Sequence, residues 1–282
     1  MMTDVSRSPH VDDVPSSAII PFVIITFAVT WGLTGIYILR PVEATAWFGE
    51  IGGTHPFFFL ATWAPAIAAF AVTLRCGGLR GLRSFTSRAA LWRCPPAWAA
   101  FILVGVPLTF AAGAAVKGTL MAPLPFDGAA ALLGLMAVML FLGPVEEFGW
   151  RGVAQPILQR HVPPIIAGLL IGATWGVWHL PAFFLAGAVQ SGWSFTPFFI
   201  GNVALAVIVT PLFNASRGSI LLPALFHFQL INPLWPDAQP YDTYFFVPVA
   251  LVIVWLNRET MFTRTGAVTE VIPGPGGQSS TL

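Results

Sequence analysis

The chain alternates long apolar stretches with short polar breaks. A helix crossing a bilayer takes about 20 mostly apolar residues. Eight stretches qualify as candidates: Ala18–Leu39, Phe57–Leu74, Ala97–Val116, Gly128–Leu142, Pro164–Ala186, Thr196–Phe213, Ser219–Leu234 and Thr243–Leu256. The fourth and seventh are short, and both carry or adjoin polar residues. The fourth is expected to run past Pro144 into the carboxylate stretch that follows it. No internal repeat and no linker long enough to divide the chain is visible. The pattern predicts an all-α, polytopic membrane bundle of about eight transmembrane helices over residues 18–257. A polar N-terminal tail (1–17) and a polar, partly disordered C-terminal tail (258–282) flank it.

Composition agrees with that reading. The 282 residues are 56% hydrophobic and only 9% charged, where soluble domains carry about 25% charged residues. The net charge of +1, with no basic arm and no aromatic RNA motif, gives no support to a nucleic-acid partner. The two cysteines, Cys76 and Cys94, make neither a disulfide framework nor a metal-binding pair. The first apolar span lacks the basic start and small-residue cleavage site of a secretory signal and is expected to stay as an anchor.

Basic residues set the expected orientation. The Arg75–Pro96 loop alone holds Arg75, Arg80, Arg83, Arg88 and Arg93. With eight spans, eleven basic residues fall on its side and only Arg40 and Lys117 on the other. Both termini are therefore expected in the cytoplasm, with short loops that suit a bacterial plasma membrane. Leu79, Leu82, Phe85 and Leu91 lie among the loop arginines, so the loop reads as an interfacial helix on anionic lipid. The Pro/Gly/Ser-rich run from Val271 to Leu282 reads as disordered.

Against this apolar background three spans carry ionisable groups, which at membrane depth are costly and usually paired and functional. The first set is Glu146, Glu147 and Arg151, just after Pro144. On a helix Glu147 and Arg151 are four apart and share a face, whereas Glu146 points about 100° away. One carboxylate can be held by the arginine while the other points elsewhere. The second is His179, in Trp175-Gly176-Val177-Trp178-His179-Leu180-Pro181. The third is His227, with Gln229 and Asn232 nearby. Each set adjoins a proline: Pro144, Pro181, Pro223 or Pro233. Bent helices with freed carbonyls are tolerated where the backbone lines an enclosed cavity. A carboxylate with two imidazoles can activate water directly or hold zinc that does so. An Asn amide can donate to a developing oxyanion.

At these residues the chain resembles the CPBP family of intramembrane proteases, also called the type II CAAX-protease and bacteriocin-processing (abortive-infection) family. The family pattern is Glu-Glu-x-x-x-Arg, then Phe-x-x-x-His, then His-x-x-x-Asn. The first is complete in Glu146–Arg151. The second reads Trp175 to His179, with Trp in place of Phe, which keeps an aromatic wall. The third departs: Ile231 stands four after His227 and Asn232 five after it, so Pro233 or a π-bulge would be needed to restore the family's face, and Gln229 is a rival donor. The resemblance covers about 128–234, the expected protease core. It implies a helical membrane bundle that hydrolyses a peptide bond of a membrane-associated, prenylated or bacteriocin-like substrate. Glu146 would activate water, Glu147 would pair with Arg151, His179 and His227 would bind water, metal or the scissile carbonyl, and Asn232 would donate to the oxyanion. Glu146, His179 and His227 are the candidate metal ligands, with zinc the candidate ion. Two other readings stay open on the residues: a non-catalytic membrane adaptor or immunity protein of this fold, and a proton-coupled transporter.

Overall fold

A computed structural model describes residues 13–124 and 126–274. Every regular element among the described residues is helical. In chain order these are α1 (Ile19–Leu39), α2 (Pro41–Phe48), α3 (Pro56–Thr62), α4 (Ala64–Ser87), α5 (Pro96–Lys117), α6 (Gly128–Gln159), α7 (Pro164–Trp178), α8 (Phe195–Ala215), α9 (Leu221–Leu230), α10 (Tyr241–Leu256) and α11 (Arg258–Met261). All eight apolar stretches become helix. Five are long and apolar enough to cross a membrane, and α3 with α4, bent by 59°, makes a sixth. At 10 residues α9 reaches only about 15 Å, half the hydrocarbon core. The protein is an integral, multi-pass membrane protein.

Packing follows α7 along α8, α8 along α10 and α1 along α4. Outward apolar side chains such as Ile24, Leu108, Leu133 and Leu251 remain largely exposed, as expected of a surface that meets lipid rather than water. The α6 helix changes character along its length. Up to Leu142 it buries only that residue, whereas from Gly143 onward most of its side chains are in the core.

Prolines explain how α6 is shaped. Pro144 lies in a 3-10 turn, Gly143–Glu146, and a π turn, Trp150–Ala154, follows just before Pro156. Pro156 has no N–H for the carbonyl four residues back, at Gly152. Arg88 supplies one instead: its Nη1 donates to the Gly152 oxygen at 2.8 Å and to Val271 at 3.0 Å, and its Nε donates to Gly218 at 2.8 Å. Arg88 is buried, and its guanidinium stands 5.4 Å from the Phe213 ring centroid.

Two expectations need correction here. The Arg75–Pro96 segment does not turn its whole apolar set outward. The α4 helix continues into it, breaks at Gly78, whose φ of 60° suits glycine, and turns Phe85 into the core. Leu79 alone of that set is strongly exposed. The reason is Arg88, which ties the end of the segment to four carbonyls inside the bundle. The second correction concerns Val271 and Ile272, expected to be disordered. Both are buried, and their N–H groups donate to Asp13 Oδ1 at 3.1 and 2.9 Å. Residues 275–282, the rest of that run, lie outside the described residues.

Replacing Arg88 by Ala strands buried carbonyls, each a loss of about 1–3 kcal/mol. Arg88→Ala is expected to lower stability by about 2–4 kcal/mol in total, allowing for partial relaxation. Arg88→Lys should recover less than half of that, because an ammonium lacks the forked geometry. Unfolding followed in detergent micelles measures both.

Candidate active site

Because α6 runs on past Pro144, Glu146 and Glu147 sit inside the bundle rather than at its surface. The α7 helix ends at Trp178 with His179 as its C-cap, so that imidazole reaches the same depth from the opposite direction. The short α9 brings His227 from a third side. Glu146, Glu147, Arg151 and His227 are all buried, and His179 is half-buried.

The two adjacent carboxylates do different work. Glu147 Oε1 accepts from His227 Nδ1 at 2.8 Å, and its Oε2 lies 3.5 Å from Arg151 Nε. It bridges arginine and histidine, the histidine by a hydrogen bond and the arginine by an ion pair alone. Glu146 Oε2 accepts from Trp175 Nε1 at 2.8 Å, and its other oxygen is not engaged that way. The residue lines a cavity of about 370 Å³ together with His179, His227, Thr30, Thr34 and Gly143. The acid and both imidazoles expected to converge therefore do so on one space.

Hydrogen bonding also sets the imidazole tautomers. His179 Nδ1 lies 2.9 Å from the Trp175 carbonyl oxygen, which can only accept, so Nδ1 carries the proton. His227 Nδ1 likewise donates to Glu147. In both rings Nε2 is left for the cavity. It offers a lone pair when the ring is neutral and an N–H when it is protonated. His227 comes so close to α6 that a Cβ on Gly143 would stand 2.6 Å from its Nε2. Only glycine leaves room for it.

Asn232 is not brought to Glu146. The α9 helix ends at Leu230, so neither Pro233 nor a π-bulge carries Asn232 back to the helical face of His227. Its Nδ2 donates to Gln229 Oε1 at 3.1 Å, and its Oδ1 accepts from Leu234 N at 3.0 Å. Both ends of the amide are used in forming the turn. It lines a second cavity, of about 720 Å³, which shares His179 and His227 with the first and also holds Asn202, Trp235 and Asp242.

The residues present do not make a metal cradle. Among the described residues no group of three His, Cys, Asp or Glu side chains is placed to hold one ion. The donors Glu146, His179 and His227 share a cavity wall without closing on a common point.

Two features were not singled out from sequence. One is a threonine stripe on α1: Thr26, Thr30 and Thr34, four apart and all buried. Thr30 Oγ1 accepts from Trp178 Nε1 at 2.8 Å and donates to the Ala61 carbonyl at 2.7 Å, fastening α1 to the segment before His179. Their spacing in an apolar span was a readable signal. The other is the Trp175 N–H, which no pattern of apolar positions can reveal.

Residues 128–231 match the family model described as Type II CAAX prenyl endopeptidase Rce1-like. Over that segment the chain is similar to the CAAX/CPBP protease family. A curated relative, the CAAX prenyl protease 2 of Methanococcus maripaludis, is 28% identical over 143 residues, covering 47% of this chain and 53% of the relative. The chain thus spans about half the length of the relative it matches. The matched segment contains Glu146, Glu147, Arg151, His179 and His227 and stops one residue before Asn232.

The two carboxylates should respond differently to neutralisation. Glu147→Ala leaves Arg151 buried without its partner, expected to cost about 3–5 kcal/mol. Glu146→Gln keeps a side-chain oxygen for Trp175 and should cost no more than about 1 kcal/mol. Thermal unfolding of the two variants side by side measures the difference.

Proposed function

We propose that this protein is an intramembrane endopeptidase with Glu146 as its general base. The observation that supports this most is the shared cavity: one carboxylate and two imidazoles, from three different helices, line a single space. In the proposed reaction a water oxygen attacks the scissile carbonyl carbon while its proton passes to Glu146. The carbonyl oxygen becomes an oxyanion, and His227 Nε2, as N–H, donates to it. His179 Nε2 accepts from the attacking water and orients it. The C–N bond then breaks, and the Glu146 proton goes to the leaving amine. Glu147 and Arg151 hold His227 in place. Zinc is an alternative way of activating the water, but the donor placement gives it no step in this scheme.

The substrate class proposed is a membrane-associated peptide, prenylated or bacteriocin-like. The related family and the apolar wall of the smaller cavity (Phe58, Leu142, Leu185) support it. Orientation enters as part of the same proposal. Arg160 pairs with Asp13, and Arg88 with Gly218 and Val271, on one face of the bundle. The loops lining the two cavities, around Gly187–Trp193 and Asn232–Gln239, lie on the other, with the pair Lys117–Asp237. With the arginine-rich face cytoplasmic, the mouth of the site opens away from it. A cysteine at Gln190, in a chain whose own two cysteines are replaced by serine, is then expected to react with an impermeant thiol reagent added from outside the cell. A cysteine at Arg217 is not.

A second reading, the non-catalytic adaptor, draws on one observation: both ends of the Asn232 amide are occupied. Cleavage of a membrane-tethered reporter separates the two. Glu146→Gln is expected to reduce turnover by about 100- to 10,000-fold, and His179→Ala and His227→Ala to reduce it strongly, while exhaustive EDTA dialysis leaves the wild-type rate in place. Turnover unchanged in Glu146→Gln would sink the catalytic reading.

A further inference from the structure

In this chain the ring before the second motif's histidine is an indole rather than the phenyl of the family pattern. The substitution keeps an aromatic wall, but it also adds one polar atom. Trp175 is buried, and a buried indole N–H needs an acceptor. Its acceptor is Glu146 Oε2, at 2.8 Å. The bond joins the base on α6 to the helix that carries His179, across 29 positions of sequence.

The indole is itself held on several sides. Its ring centroid lies 5.5 Å from that of His179 and 5.3 Å from that of His227, edge-on to both. The Arg151 guanidinium stands 5.9 Å from its centroid. Its backbone carbonyl takes the Nδ1 proton of His179. One residue thus touches the base, both imidazoles and the arginine that orders Glu147. The terminal torsion of a glutamate is broad and roughly two-fold, so an unrestrained carboxylate would sample many angles to the water. A donor fixed on one oxygen removes that freedom and leaves the second oxygen turned to the cavity. A phenyl ring cannot do this.

We propose that Trp175 is the positioning residue for Glu146: its Nε1–H holds Oε2 and thereby aims the other oxygen at the attacking water. This role rests on the endopeptidase reading, since it needs Glu146 to be the base.

Two variants remove the N–H and keep the ring. Trp175→Phe is the genetic one. Site-specific replacement by 3-benzothienylalanine, in which sulfur stands where the N–H was, keeps the full bicyclic shape. Both are expected to lower kcat on the reporter by about 10- to 100-fold, the scale of a misplaced catalytic group, with KM within about twofold of wild type. Wild-type kcat in the benzothienyl variant overturns the proposal. So does a fall in kcat matched by an equal rise in KM, which would mark a lost binding wall. The bond has its own readout in the ¹⁵N-indole spectrum of the full-length protein in micelles. The Trp175 N–H resonance is expected to move in Glu146→Gln, where a neutral acceptor replaces a charged one, and an unmoved resonance overturns the proposal. Failure of the endopeptidase reading looks different. Wild type and Glu146→Gln would then process the reporter alike, and the positioning role would fall with it even if the resonance moved.

Discussion

A carboxylate inside a bilayer has to be compensated, and in this protein one is compensated twice. Glu147 meets Arg151 on its own helix and His227 on another. That bridge ties α6 to α9, a helix too short to hold itself across the membrane. It also fixes which nitrogen of His227 faces the cavity. Removing any member would leave a charge or a hydrogen-bonding group stranded where water does not reach. The neighbouring Glu146 is freer because Glu147 has taken on the structural task.

Irregular helix is the second condition for the site. Pro144 and Pro156 distort α6 on either side of the carboxylates, and π turns of this kind are common near functional positions. Each break frees backbone carbonyls, and side chains from other elements answer them. Arg88 takes Gly152. Trp31 Nε1 donates to the Trp178 carbonyl at 3.1 Å, next to the turn that Pro181 begins. Such bonds let α6 and α7 bend toward a common cavity while giving the freed carbonyls of Gly152 and Trp178 a partner.

The matched family segment and the geometric site coincide over the same stretch of chain, with one difference. The third motif carries an extra residue before its asparagine, and α9 stops before reaching it. Asn232 is spent on a turn with Gln229 and Leu234. In the proposed reaction the oxyanion donor is therefore His227, whose approach depends on the bare backbone at Gly143. The substitution in the second motif acts the other way. Trp175 supplies a donor where the family pattern has none.

Much was legible in the linear pattern because insertion into lipid is mainly a matter of composition. Eight apolar stretches foretold eight helical segments, and the few ionisable residues inside them stood out because a bilayer interior tolerates so few. Helical spacing alone paired Glu147 with Arg151. Spacing could not say that Arg88 would be drawn inside, since its partners are backbone carbonyls of residues 151, 152, 218 and 271, which no side-chain pattern marks. For the same reason the burial of Val271 was hidden behind glycines and prolines. The depth of each span, the tautomer of each imidazole and the hydrogen bond from Trp175 to Glu146 also belong to tertiary structure. They depend on the distance and angle between helices far apart in the chain, and a local pattern holds no record of either.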